Sequence, residues 1–465
     1  MELTMSSAIW QVMVDAAIMG TLLLIGEFLR AKVKCLQKAL IPPAVLAGVL
    51  ALLLGPKSPW EVCRILPLSS SFGTYASVLI VLVFAATPIG DRPKKGAMSG
   101  SKIMGMFFNI SGIAVLQYGI GMLVTITVLT KLYPALNENF GLMMATGFYG
   151  GHGTAAVGKS LADLGVPDMT DLGYTCATIG IVGGIITGIL IINWGTRKGY
   201  THYVENPSEL PIDMRTGLVP PENQKSTSKG TVASICLDPL GYHLGIVLFA
   251  SWLGYMASAW FAGWTQSAFN YKVSIPEFCL SLFAGLIINS LLNKSGAYKY
   301  VDRGSIQRIQ GTATDFLMIS GIGSLNLTVV MNYAVPLIVI CALGFAATWL
   351  WFLWIGGKSS EEDWFERNMM MWGHATGVAA TGVLLQRVVD PDLKSRGIED
   401  SGISDIFNRP IIIGLQVIPP ILITTMGTAG SWIVTVACFA IVAVMWIVAW
   451  MTKGWVAGRK LEKYR

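Results

Sequence analysis

Two short stretches hold the residue types best suited to chemistry. Gly150-Gly151-His152-Gly153-Thr154 and Gly373-His374-Ala375-Thr376-Gly377 repeat one order (glycine, histidine, a small residue, threonine) at corresponding places in the two halves of the chain, and take two of its four histidines. Glycines 150, 151 and 153 permit φ > 0 and close backbone approach, as a hairpin tip with open peptide groups requires. Helix N-termini at such a tip offer N–H groups to an anion, while carbonyl and threonine oxygens suit Na⁺. All ten residues are therefore candidate anion ligands, and Thr154 and Thr376 candidate Na⁺ ligands. Two plainer readings stay open: the glycines pack helices, and His152 and His374 brace hairpins. A two-histidine metal site is disfavoured, because no Cys or carboxylate stands at ligand spacing to either ring.

The surrounding chain is a lipid-embedded one. Of 465 residues 53% are hydrophobic and 13% charged, about half the charged fraction of an ordinary soluble domain. That excludes a water-soluble globular enzyme. Gly 51 and Trp 15 fit helices that pack closely and anchor at interfaces. The net charge of +6 is spread over many loops, so it reads as topology and not as a nucleic-acid surface. The seven cysteines show no disulfide framework. The first apolar run lacks a basic leader and a small-residue cleavage site, so it is expected to stay as a span.

Spans of about 20 apolar residues are expected near 8–29, 42–55 (short, with Trp60 extending it), 74–90, 104–130 and 172–194. They resume near 243–264, 276–292, 311–330, 335–355, 410–428 and 432–452. Two more apolar segments, 140–157 and 369–386, are interrupted by Gly, His and Thr and either cross or dip in and return. Basic residues decide, since cytoplasmic loops are rich in Lys and Arg. With both segments re-entrant and the N-terminus outside, only Lys57, Arg64, Lys131, Lys159 and Lys272 of the 33 basic residues lie outside. Full crossing spreads them far more evenly. Re-entrance wins, with the C-terminus in the cytoplasm.

Each half then has five spans and a re-entrant segment before the fifth. An odd number inverts the second half, the arrangement of many secondary transporters. The expected fold is an all-α polytopic membrane protein. It comprises a first inverted repeat over 1–194 (hairpin 140–163), a cytoplasmic linker over 195–240, a second repeat over 241–430 (hairpin 369–386), and an extra span with tail over 431–465. Ile41-Pro42 and Ile275-Pro276 open equivalent spans. Pro207, Pro211, Pro220 and Pro221 mark the linker. Intramembrane carboxylates are functional candidates by cost alone: Asp15 near mid-span and Asp315, nearer a membrane end, are candidate Na⁺ ligands. Glu277 reads as a helix cap.

With its Gly150-Gly151-His152-Gly153-Thr154 stretch, its apolar fifth span and its polar central loop, the chain resembles the sodium/glutamate symporter family over roughly 1–430. Trp372-Gly373-His374-Ala375-Thr376-Gly377 with Arg387-Val388-Val389-Asp390-Pro391 is similar to a second signature of some members. The family's Gly-Gly-x-Gly tip is replaced at the second hairpin by Trp372-Gly373-His374-Ala375, which bears on the substrate more than on the architecture. The resemblance implies a homodimer in a bacterial inner membrane, no cofactor beyond Na⁺ as coupling ion, and an elevator that carries glutamate or a related anionic amino acid. No Arg lies within a span; Arg387, just past the second hairpin, is the nearest substrate-binding candidate. One rival is a carrier of another di- or tricarboxylate or a 2-hydroxycarboxylate. A second is a membrane-embedded enzyme using His152 and His374, against which stands the lack of a nucleophile–base pair. An ion channel fits less well, because no filter-like repeat or charged ring is apparent.

Overall fold

The computed structural model describes residues 8–464 other than 40, 91–99, 156, 205–215, 225, 227, 270–276, 361 and 391–393. Ile275-Pro276, Pro207, Pro211, Pro391, Arg92, Lys94 and Lys95 lie outside the described residues, as does the side chain of Thr154. Among those described, all regular structure is helical. The first half forms α1 (Ala8–Lys32), α2 (Pro43–Leu54), α3 (Thr74–Ala86) and α4 (Gly100–Val124). A broken run follows, α5 (Phe140–Phe148), α6 (Gly151–Ala155) and α7 (Val157–Asp163), and then α8 (Asp168–Arg197). The second half forms α9 (Pro239–Phe269), α10 (Glu277–Ser295), α11 (Arg303–Gly323), α12 (Leu327–Asn332) and α13 (Ala334–Trp354). The broken pair α14 (Trp364–Thr376) and α15 (Ala379–Val389) comes next, then α16 (Gly397–Met426) and α17 (Thr428–Met451). Among the described residues 8 helices are long and apolar enough to cross a membrane, and α2 and α3 are apolar but shorter. This is a multi-pass membrane protein.

Three expected boundaries move. Helix α2 stops at Gly55, and Trp60 lies in the loop beyond instead of extending it. Helix α11 begins at Arg303 and not at 311, because Gln307, Arg308 and Gln310 dilute the apolar signal of its first turns. Asp315 consequently sits in the middle of a helix, half-buried, not near its end. Helix α16 likewise begins at Gly397, well before 410.

The helices gather into two compact units, and each unit draws on both halves of the chain. The first comprises Met1–Lys32, Pro42–Lys94 and Thr216–Leu325, and so contains α1–α3 and α9–α11. Helix α11 packs on α2 and α3, and α10 on α3 and α9. Ala85, Ala86, Ile89, Val247, Ala250, Val301 and Ile306 form a buried cluster there. The last carbonyls of a helix lack intrahelical partners. Arg303 supplies them for α3: Nη1 donates to Ala86 O (3.1 Å) and Ile89 O (2.7 Å), and Nη2 to Thr87 O (3.0 Å). Asp15 is fully buried and saturated with donors. Its Oδ1 accepts from Gln11 Nε2 and Ser69 N–H, each at 3.0 Å, and its Oδ2 from the Ser69 and Tyr75 hydroxyls.

The second unit comprises Val33–Ile41, Lys95–Arg215 and Asn326–Arg465. Helix α4 is its central column, flanked by α5, α16 and α17. A buried ion pair, Arg367 Nη1 to Asp400 Oδ2 at 2.7 Å, ties α14 to α16. The tail belongs to this unit as well. Tyr464 N–H donates to Gly199 O at 2.8 Å, and the Tyr464 ring stacks on His202 at 4.2 Å.

Beside that contact, in the first turn of α14, Glu366 is buried. Its Oε1 accepts the His202 N–H at 2.7 Å, while Oε2 has no hydrogen-bond partner. Burial pushes its carboxyl up to about 7 from the usual 4.5. The folded state therefore holds this proton more tightly than the unfolded chain does. Stability falls as pH rises between those two values, by roughly 3 kcal/mol in all, and is flat above. Glu366→Gln should remove this slope, so that its thermal midpoint exceeds that of the wild type at pH 8 but not at pH 4.5. Parallel pH profiles for the two proteins would refute the assignment.

Candidate functional site

Each unusual stretch has a break between helices at one end, at Gly150 in the first and Gly377 in the second, and the two breaks meet. After α5, Tyr149 is extended (φ −96, ψ 98); Gly150 then takes a φ of 99, and Gly151, which opens α6, a φ of 61. Only glycine adopts that pair of angles without strain. After α14, Gly377 leaves the helix (φ −154, ψ −108), Val378 is extended (φ −135, ψ 165), and α15 follows. The Gly150 N–H donates to Gly377 O at 2.9 Å, so each tip supplies a partner to the other.

Helix α8 is the wall on which both tips rest. A β-carbon at Gly151 would stand 2.9 Å from Val378 Cγ1 and 3.2 Å from Ile181 Cδ1; one at Gly377 would stand 3.3 Å from Ile181 Cγ1. Ile181 thus touches both breaks. Next to Ile181 and one turn beyond it the wall is glycine: a β-carbon at Gly180 would meet Thr376 O at 2.5 Å, and Gly184 faces the Thr376 hydroxyl. Thr376 is fully buried, and its Oγ1 donates to Trp372 O at 2.8 Å. From the other side Gln117 on α4 donates to Ala375 O (2.9 Å) and Thr348 Oγ1 (3.0 Å), while its own Oε1 is buried without a partner. Gly373 serves packing: a β-carbon there would lie 2.6 Å from Gly382 Cα in the other arm of the hairpin.

The two histidines are each held on one edge and open on another. His152 is buried, with Nε2 3.0 Å from Thr178 Oγ1 and its ring stacked on Tyr174 at 6.0 Å. His374 stacks on Tyr149 at 4.8 Å, and its Nε2 lies 4.0 Å from Asp405 Oδ1. The Nδ1 atom of each is buried with no hydrogen-bond partner. Bracing and ligand contact, alternatives in the sequence, are compatible in these rings.

The remaining candidates are placed as follows. Gly153 and Thr154 lie in α6, and Arg387 is exposed in the last turn of α15. Asp15 and Asp315 belong to the first unit, whereas both tips belong to the second. Tyr149, Gln117, Ile181, Asp405 and Asn408 were not singled out by sequence. One signal was available for the wall: Gly180, Gly184 and Gly188 repeat every fourth residue, the mark of a helix face built for close approach.

Among the described residues no three His, Cys, Asp or Glu side chains gather as for a metal ion. What the breaks do supply is peptide N–H and C=O groups freed from helices, in a setting of buried glycine, histidine and carboxamide. That is equipment for a small charged ligand. A family model described as sodium/glutamate symporter matches residues 9–382, from α1 through both tips. No curated protein and no solved structure matches the chain.

Proposed function

Because the chain belongs to the sodium/glutamate symporter family, we propose that it couples inward Na⁺ movement to uptake of glutamate or a closely related anionic amino acid, bound at the crossing of the two tips. Gly150–Thr154 and Gly373–Gly377 would form that site, with Arg387 after the second break and Thr154 and Thr376 as its Na⁺ candidates; Asp15 and Asp315 belong to the first unit, and the Asp15 oxygens already accept four hydrogen bonds. The observation that carries this is the Gly150 N–H to Gly377 O contact. It joins the breaks of both halves inside one compact unit; broken backbone at membrane depth is tolerated only where it is buried in protein or lines a watery cavity.

The order of elements supports an inverted repeat. Each half gives three helices to the first unit, then a long helix, a broken run and a long helix to the second, with the short α12 and the last helix α17 as additions in the second half. We take the broken runs as re-entrant hairpins, the second unit as the moving part of an elevator, and the first as the part that pairs in a homodimer. The setting is a bacterial inner membrane with the N-terminus outside and the C-terminus in the cytoplasm. No enzymatic step is assigned to His152 or His374.

Purified protein in liposomes should accumulate labelled glutamate under an inward Na⁺ gradient and lose that accumulation when K⁺ replaces Na⁺. Aspartate, citrate and malate as competitors rank the substrate classes; Trp372-Gly373-His374-Ala375, expected at a tip, lies within α14, with the break at Gly377 and Val378. Uptake equal with and without the gradient would end the symport assignment.

A further inference from the structure

Two acidic side chains, Asp15 within α1 and Asp405 in the first turns of α16, have opposite surroundings. Asp15 is fully buried and takes four hydrogen bonds. Asp405, on α16 beside the tips, is 21% exposed at its side chain and receives no hydrogen bond among the described residues. The group drawn towards it is His374 Nε2 at 4.0 Å, beyond the reach of a hydrogen bond. Its oxygens are therefore free to accept from a cation.

The neighbours of Asp405 are oxygen-bearing. Asn408 is three residues on, hence on the same face of α16; it is 3% exposed, and its Oδ1 is buried with no partner. Its Nδ2 donates to the hydroxyl of Tyr149, the residue at which the first hairpin breaks. His374, from the second hairpin, stacks on that tyrosine and closes the side. An acid, a carboxamide oxygen left over and a phenol oxygen therefore converge where the two tips meet. Hard cations select such oxygen sets, and an ammonium group, with three donors and no acceptor, fits the same set.

We propose that Asp405, Asn408 and Tyr149 form a site for a small cation, either Na⁺ or the α-ammonium of the substrate. The proposal rests on the transport reading above and adds a third element, α16, to the two tips. It assigns the tips the anionic groups of the ligand and α16 the positive charge.

Thermal unfolding of the full-length detergent-purified protein distinguishes the two sources. Wild type, Asp405→Asn and Asn408→Ala are titrated with NaCl against choline chloride without substrate. They are then titrated, at fixed NaCl, with glutamate and with glutarate, which lacks the amine. If the site takes Na⁺, both variants need at least tenfold more NaCl for half-maximal stabilisation and keep the wild-type preference for glutamate over glutarate. If it takes the ammonium, their NaCl titrations match the wild type, glutamate needs at least tenfold higher concentration, and glutarate is unchanged. Either pattern supports the site. It is overturned if both titrations match the wild type in both variants. It is also overturned if the substitutions lower every midpoint equally, as loss of a structural pair (with Arg409 one turn along, for example) would do. Should Asp405→Asn fail to fold, Asn408→Ala alone decides. A wild type stabilised by neither Na⁺ nor glutamate would instead bring down the transport reading itself.

Discussion

Gly151→Ala should reduce Na⁺-driven uptake at least tenfold in protein that still folds. Two costs combine at this position. The backbone has φ of 61, where an added β-carbon costs about 1–2 kcal/mol. That carbon would also stand 2.9 Å from Val378 Cγ1 in the opposite tip, so the two breaks must separate where Gly150 and Gly377 share a hydrogen bond. Gly165 supplies the control: its φ is 92, yet nothing lies within 4 Å of a β-carbon placed there. Gly165→Ala should lower the thermal midpoint and spare uptake per folded molecule. Val378→Ala removes the collision but not the strain, so the double variant with Gly151→Ala should recover part of the lost activity, with a coupling of about 0.5–3 kcal/mol across the tips. Gly151→Ala behaving like Gly165→Ala would mean that the tips do not form the transport site.

The largest effect on stability is expected at Arg367. The guanidinium is 4% exposed and Asp400 2% exposed. Arg367 Nε also donates to Ser360 Oγ at 3.2 Å and Nη2 to Lys102 O at 3.3 Å. Arg367→Leu leaves the Asp400 carboxylate with Arg396 Nη2 at 3.7 Å as its remaining basic neighbour among the ion pairs of the described residues. Breaking a buried pair from one side costs about 3–5 kcal/mol, whereas replacing both partners with apolar residues is often close to neutral. Arg367→Leu/Asp400→Leu should therefore melt well above Arg367→Leu alone. Equal midpoints for the single and double variants would locate the loss in packing and not in charge.

The fold was legible where side chains meet lipid. Long apolar runs such as Ala334–Trp354 and Thr428–Met451 match their windows within a few residues, because the hydrocarbon core demands length and apolarity together. Legibility failed where helices start in polar surroundings. Arg303 caps α3 from the first turn of α11, and Arg367 and Asp400 pair inside α14 and α16; a hydropathy window reads such residues as loop. The site shows the same division. Gly150, Gly151 and Gly377 were visible because broken backbone needs glycine, and the Gly-His repeat gave their positions. Asp405 and Asn408 have no local signature: their surroundings come from Tyr149 and His374, which are far away in the chain. Nor could the sequence tell a donor-saturated Asp15 from an undonated Asp405, since the difference lies in the partners.

Shared ownership of both units has a consequence for biosynthesis. The ribosome delivers α1–α3 and the first hairpin long before α9–α11 and the second hairpin exist. Neither unit can close on the first half alone, and the Gly150 N–H waits for a carbonyl made more than two hundred residues later. At about 5–20 residues per second that delay is at least roughly ten seconds, during which a polar break stands without its native partner. Truncation after residue 240 should therefore not leave a stable half-protein, but a product that the membrane quality-control proteases recognise. A nascent chain stalled at that length is the species in which to look for chaperone or translocon contacts at Gly150.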